Sequence, residues 1–451
     1  MPRYFAPRVL LEDGWHHDVL IDVDATGTIS GLTPDAPADN AQCLNGAVLP
    51  GMTNLHSHAF QRVMAGLAEV AGDPQDSFWT WRELMYRMVQ RLSPEQVGAI
   101  ASHLYVEMLK GGYTQVAEFH YLHHHTDGSP YQDEAMLAQL IAAAGRAGIG
   151  QTLLPVLYSY AGFGAQPPQA GQKRFIQDSR RYLQQQQRLQ EMIAGKPLHN
   201  RGLCFHSLRA VSETQIREVL AASVDSLPVH IHIAEQEKEV NDCLAWSGER
   251  PVDWLLNRFD INARWCLIHA THLDQREISR LAASQAVVGL CPTTEANLGD
   301  GIFPATDYIA RGGRWGIGSD SHVSLDVVEE LRWLEYSQRL RDRRRNRIVS
   351  ASQTSVGDLL YHQALEGGAQ ACGVKTGRLA VGYRADWLVL ADDALLSSTA
   401  DHSLLNRWLF AGHRGQIQDV YVAGKQLIRQ GQHQQQQQID AALRTVIEAL
   451  K

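Results

Sequence analysis

The sequence predicts an α/β fold: a (β/α)₈ TIM-like barrel with a small β-sandwich module formed from both termini. Three observations carry this. Short apolar runs alternate with amphipathic helical stretches through the middle of the chain, as parallel strands and crossover helices do. The alternation extends over about 270 residues, the size of an eight-unit barrel. Strand-and-turn texture fills the chain up to Leu49 and returns near the C-terminus.

Taken in order, Val19–Val23 reads as a strand and Asp24–Gly27 as its turn. Candidate barrel strands follow at Ala47–Leu49, Gln115–Phe119, Gly150–Leu154, Leu203–Phe205, Val229–His232, Cys266–Ile268, Val287–Leu290 and Trp315–Gly318. Ala385–Leu390 and Val420–Lys425 again read as strand and turn. The expected division is residues 1–49 for the first part of the sandwich, 50–375 for the barrel, and 376–451 for the rest of the sandwich with a terminal helix. Whether the two terminal segments pair is not decided by sequence.

A chain of 451 residues is long enough for both modules. Its net charge of -8 argues against nucleic acid and anionic membrane surfaces as partners. An acidic small-molecule substrate would need locally placed arginines. No apolar stretch is long enough to span a membrane, and acidic residues soon follow the N-terminal apolar patch, so a cytoplasmic protein is expected. The six cysteines form no CxxC pair and read as reduced, mostly buried thiols. The glutamine runs Gln184–Gln187 and Gln434–Gln438 read as solvated helix surface or tail. The basic run Arg339–Arg345 reads as a solvated face or subunit contact.

The chemistry begins at Pro50-Gly51-Met52-Thr53-Asn54-Leu55-His56-Ser57-His58. Residues two apart on a strand share a face, so His56 and His58 point together. With 20 histidines in the chain, one such pair alone is weak. His232 closes the apolar run from Val229, at the end of a barrel strand where active sites gather. Glu235 lies three residues on, placed to approach a metal-bound water. His230 shares the His232 face but sits deeper and reads as structural. His269 closes the run from Trp265, with His272 as a nearby rival. Asp320 closes a small-residue strand, where an aspartate is as often a helix N-cap. Four strand ends carrying His or Asp in this order point to a centre that holds a divalent ion and activates water.

These segments resemble the amidohydrolase superfamily, in particular its deaminase-like branch. His232–Glu235, His269 and Ser319-Asp320 are similar to the family's motifs on strands five, six and eight, and Gly382–Val389 to its closing signature. The resemblance implies metal ligation by His56, His58, His232 and Asp320, and catalytic roles for Glu235, His269 and Asp320. The candidate fourth strand, Gly202–Arg209, lacks the lysine that bridges two ions in binuclear members, which implies one divalent ion, zinc before iron or manganese.

Ser77–Arg82, Glu118–His123 and Phe205–Arg209 are further similar to the formiminoglutamate deiminases of histidine degradation. That similarity implies a dicarboxylate substrate contacted by Gln61, Arg82, Tyr121, His206 and Arg209, release of ammonia from a formimino group, and a homodimer. Arg82 would lie in a loop over the barrel mouth. Two alternatives stay open: deamination of a purine, pterin or triazine ring, and a catalytically inactive binding protein.

Overall fold

The computed structural model describes residues 2–70 and 76–451. Eight parallel strands organise the middle of the chain: β1 (Met52–Ser57), β2 (Tyr113–His120), β3 (Gly150–Pro155), β4 (Leu203–Ser207), β5 (Val229–Ile233), β6 (Trp265–His269), β7 (Val287–Leu290) and β8 (Arg314–Ile317). They form two sheets. One runs β1-β2-β3 and ends on the short His199–Arg201; the other runs β4-β5-β6-β7-β8. Single parallel bridges join the sheets at both margins, Leu157 to Phe205 and Ser57 to Asp320. His206 N donates to Leu157 O at 3.0 Å across one margin, and Asp320 N to His56 O at 3.0 Å across the other. In β1, β2, β3, β5, β6 and β7 every residue is buried, as expected of parallel strands covered by helices.

The two terminal segments build one nine-stranded mixed sheet. Ala47–Pro50 stands at its centre, parallel to Arg3–Leu11 and antiparallel to Trp387–Leu390. A separate apolar cluster packs on it, with Trp387 stacked on Tyr421 at 5.0 Å and edge-on to Tyr4 at 5.1 Å. Among the described residues no helix is long and apolar enough to cross a membrane.

Three sequence expectations change. Ala47–Leu49 is not a strand of the parallel sheets; the strand there is Met52–Ser57, which carries the histidine pair itself. The chain changes sheets at Gly51, whose N donates to Asp386 O while Met52 N donates to Gly112 O. A Cβ at Gly51 would lie 2.3 Å from the Thr114 methyl, so only glycine fits this crossing. Apolar periodicity runs straight through and hides the break. The segment around Arg82 is no loop but helix α1 (Phe78–Val89), capped by Ser77. Gln184–Gln187 is not all solvated. Gln185 and Gln186 face inward, where Gln185 donates to Glu134 and Gln186 to Gly202 O. The other glutamine run lies at the start of the helix Gln436–Leu450, and Arg339 and Arg341 pair with Glu335 and Asp342. Cys43 is exposed and the other five cysteines are buried, none bonded.

The sheet margin that presents Asp320 is set by close packing. Helix Val356–Cys372 lies against β8 through Gly367 and Gly368; a Cβ on Gly367 would stand 1.8 Å from Trp315 O. Gly367→Ala is therefore expected to cost about 1–3 kcal/mol through overpacking. A urea melt reads this directly, and an unchanged midpoint would show that the helix has room to shift.

Candidate metal centre and active site

The candidate metal-binding and proton-transfer side chains leave at or near the ends of strands, and several do so through an unusual backbone turn. Ala234, His269, Ala270, Asp320 and His322 all have positive φ, from 46° to 68°. Non-glycine residues in this region carry strain that surrounding structure must hold. Here Ala270 N donates to Ile233 O and His272 N to Ala234 O, locking the ends of β5 and β6 together. The turns aim His269 and Asp320 at the space above β1.

Four donors meet there. His56 Nε2 lies 3.1 Å from His232 Nε2 and 3.3 Å from Asp320 Oδ1, and His58 Nε2 lies 3.3 Å from the same oxygen. All four residues are buried. The Nδ1–H of His58 donates to Phe119 O at 2.7 Å and that of His232 to His206 O at 2.9 Å. A carbonyl can only accept, so these bonds leave the Nε2 lone pairs facing the centre. Metal bonds of about 2.0–2.1 Å in tetrahedral array put donors about 3.3 Å apart, so the set fits a divalent ion of zinc's size.

Protonation states agree with the fit. Burial, reinforced by His58, drives His56 down to about 3; burial and the neighbouring imidazoles hold His232 well below the usual histidine range. Both are neutral, as ligands must be. Burial opposes the charge on Asp320, but His56 and His58 hold it well below the usual carboxylate range.

Glu235 and His269 form a second pair beside this centre, Oε1 to Nε2 3.7 Å. Burial pushes Glu235 up to about 7, with His269 working against the rise. Burial disfavours charge on His269, yet Glu235, Glu295 and Asp320 outweigh it and raise it to about 10. Glu295 Oε1 takes the Nδ1 side of His269 at 3.2 Å. Donor atoms of Glu235, His269 and Asp300 also lie within 4.8 Å of one another.

Of the eleven residues singled out from the sequence, ten border one cavity of about 40 Å³. The exception, His56, lies fully buried beneath it. Gln61 donates to Tyr121 OH at 2.9 Å, leaving its own Oε1 buried without a partner. His206 packs its ring on Tyr158 at 4.3 Å, and burial with nearby Arg209 keeps it neutral. Arg82, on α1, lies over Tyr86 at 5.5 Å. The Nε atoms of Arg82 and Arg209 are both buried without a hydrogen-bond partner. A wider hollow of about 400 Å³ on the outer side of α1 borders none of these groups.

His230 donates to or accepts from nothing in the cavity; its Nε2–H bonds Ala371 O at 2.7 Å. His272 turns to Asp300 O instead. Sequence reasoning missed three groups. Glu295 orients His269 and sits four residues beyond Cys291, at the start of a short helix. Tyr158 borders the cavity three residues past β3. Glu118, buried in β2, accepts from Ser57 Oγ at 2.7 Å, Ala59 N at 2.7 Å and Tyr105 OH at 3.0 Å, and so anchors the turn after the histidine pair. Its signal was a lone carboxylate in an otherwise uncharged strand.

Comparison with known proteins agrees with this architecture. The chain is 62% identical over 435 residues to a formimidoylglutamate deiminase of Pseudomonas aeruginosa, covering 96% of each. It superposes on the crystal structure of an amidohydrolase from Brucella melitensis with a TM-score of 0.95 and 44% identity, over 100% of both chains. An adenosine deaminase from Xanthomonas campestris, solved with bound zinc, shares the fold with a TM-score of 0.80 at 22% identity, over 99% and 98% of the two chains. Residues 47–427 match the model of the amidohydrolase family, and the chain belongs to that family.

Proposed function

We propose that the protein hydrolyses N-formimino-L-glutamate to N-formyl-L-glutamate and ammonia, using one divalent ion, zinc in the first instance. The observation that carries the substrate is the pair of guanidinium groups, Arg82 and Arg209, beside the donor cluster with buried Nε atoms that nothing in the protein satisfies. A buried guanidinium N–H without a partner is costly, and a substrate with two carboxylates supplies the missing bonds in bidentate geometry. The 62% identical relative carries the matching name.

His56, His58, His232 and Asp320 are the proposed ligands. The ion, when bound, lowers the pKa of water toward neutrality. Asp320 takes the proton of the attacking water. Glu235, lifted to about 7, is suited to donate a proton to the imino nitrogen near neutral pH and to assist its departure as ammonia. His269, held charged by the neighbouring acidic groups Glu235, Glu295 and Asp320, orients the nucleophile and stabilises the negative charge on its oxygen. Gln61, Tyr121 and His206 bind the chain of the substrate. Burial holds the Tyr121 phenol well above its ordinary range, so it acts as a neutral donor. With α1 in place the cavity of about 40 Å³ is too small for formiminoglutamate, so α1 withdraws to admit substrate and then returns.

The same proposal takes the two parallel sheets, joined at both margins, as one (β/α)₈ barrel over residues 50–375. Residues 1–49 and 376–451 then form the flanking sandwich. A cytoplasmic homodimer belongs to it as well.

Ammonia release from N-formimino-L-glutamate, guanine and a pterin tests the function. Release from the first alone is expected; turnover of a ring substrate alone would overturn the assignment. Arg209→Ala should raise KM for formiminoglutamate about 10- to 100-fold, the worth of a charged hydrogen bond. If turnover of formamidine, which has no carboxylate, suffers equally, Arg209 does not clamp a carboxylate. Glu235→Gln should keep its metal, by elemental analysis, while kcat falls about 10²- to 10⁴-fold. Near-normal turnover in that variant would remove Glu235 from proton transfer.

A further inference from the structure

The two arginines come from different elements: Arg82 from α1, and Arg209 from the segment just beyond β4. Neither is held by a carboxylate within ion-pair distance among the described residues, yet both lie over one ring. Arg82 Cζ is 4.6 Å and Arg209 Cζ 5.7 Å from the centroid of the Trp79 indole. A third cation, Lys238 in the first turn of the helix Glu237–Ser247, has its Nζ 5.7 Å from the same centroid. Trp79 itself is half-buried and does not border the cavity.

Lys238 is paired with Asp242 at 2.7 Å, and Glu239 and Glu235 lie near Arg209, but the two guanidinium groups over the ring have no ion-pair partner of their own and repel unless something holds them. The face of an indole carries negative charge density and attracts a guanidinium within about 6 Å. It is also rigid and planar, so it sets the direction of a stacked guanidinium as well as its position. We infer that Trp79 is the positioning residue of the carboxylate clamp: its ring holds Arg82 and Arg209 in register, so that the return of α1 over the site sets Arg82 beside Arg209 at the substrate. This rests on the deiminase reading and adds a residue that touches no substrate.

The test compares Trp79→Leu and Trp79→Gln, which remove the ring, with Trp79→Phe, which keeps an aromatic face. All are metal-loaded, and the melting temperature of each is measured beside wild type. Two readouts are used: kinetics with N-formimino-L-glutamate, and calorimetric binding of N-formyl-L-glutamate. The ring-less variants should raise KM and the Kd of the formyl compound about tenfold, with a much smaller change in kcat. Trp79→Phe should recover most of the loss. A residue that merely packs α1 would instead lower melting temperature and kcat together, with no rescue by Phe, and that pattern overturns the inference, as does an unchanged KM. If wild type itself neither releases ammonia from formiminoglutamate nor binds its formyl product, the deiminase reading falls and takes the clamp with it. A competent wild type with indifferent variants removes only the role of Trp79.

Discussion

Three imidazole nitrogens and a carboxylate oxygen crowd into one buried space, with neighbouring donors 3.1–3.3 Å apart. Carbonyl oxygens on the far sides of His58 and His232 fix their tautomers so that lone pairs face inward. Such a concentration of electron density away from water is what a bound cation stabilises. Much else in the molecule serves this constraint. The positive-φ turns at Asp320 and His269 aim their side chains, Glu118 pins the turn that follows the histidine pair, and the glycines under β8 let a helix support that margin.

Around this centre the charges are sorted by neighbours rather than by residue type. His56, His206 and His232 are neutral because burial and like groups disfavour the proton. His269, equally buried, is held charged by three carboxylates. The wall toward α1 is positive, with arginine Nε atoms that find no internal partner. A site that is electron-rich at its floor and cationic at its wall suits a substrate with an electrophilic carbon at one end and carboxylates at the other.

How much of this was legible in the sequence follows from what spacing encodes. His56 and His58 stand two apart on a strand, and His232, His269 and Asp320 each end an apolar run; period and strand end are local properties that a sequence displays. Seven of the eight parallel strands overlap the apolar runs that predict them. The eighth was misplaced by a few residues because the sheet change at Gly51 depends on the distant Thr114 side chain, which spacing does not report. Gln185 and Gln186 were misjudged for a related reason: composition says nothing of which face of a helix meets Glu134 and Gly202. Glu118, Glu295 and Trp79 act through residues far along the chain, so their roles emerge only when the fold brings those partners near.

On the proposed mechanism the buried donors of β1, β5 and the turn after β8 hold the ion, while Glu235 and His269 stay free to move protons. Anomalous scattering at the zinc absorption edge, from crystals of zinc-loaded protein, measures this without reference to activity. The expected result is one peak bounded by Nε2 of His56, His58 and His232 and by the Asp320 carboxylate. A peak instead among Glu235, His269 and Asp300, whose donor atoms also gather within 4.8 Å, would place the ion on the groups assigned to proton transfer and contradict the account.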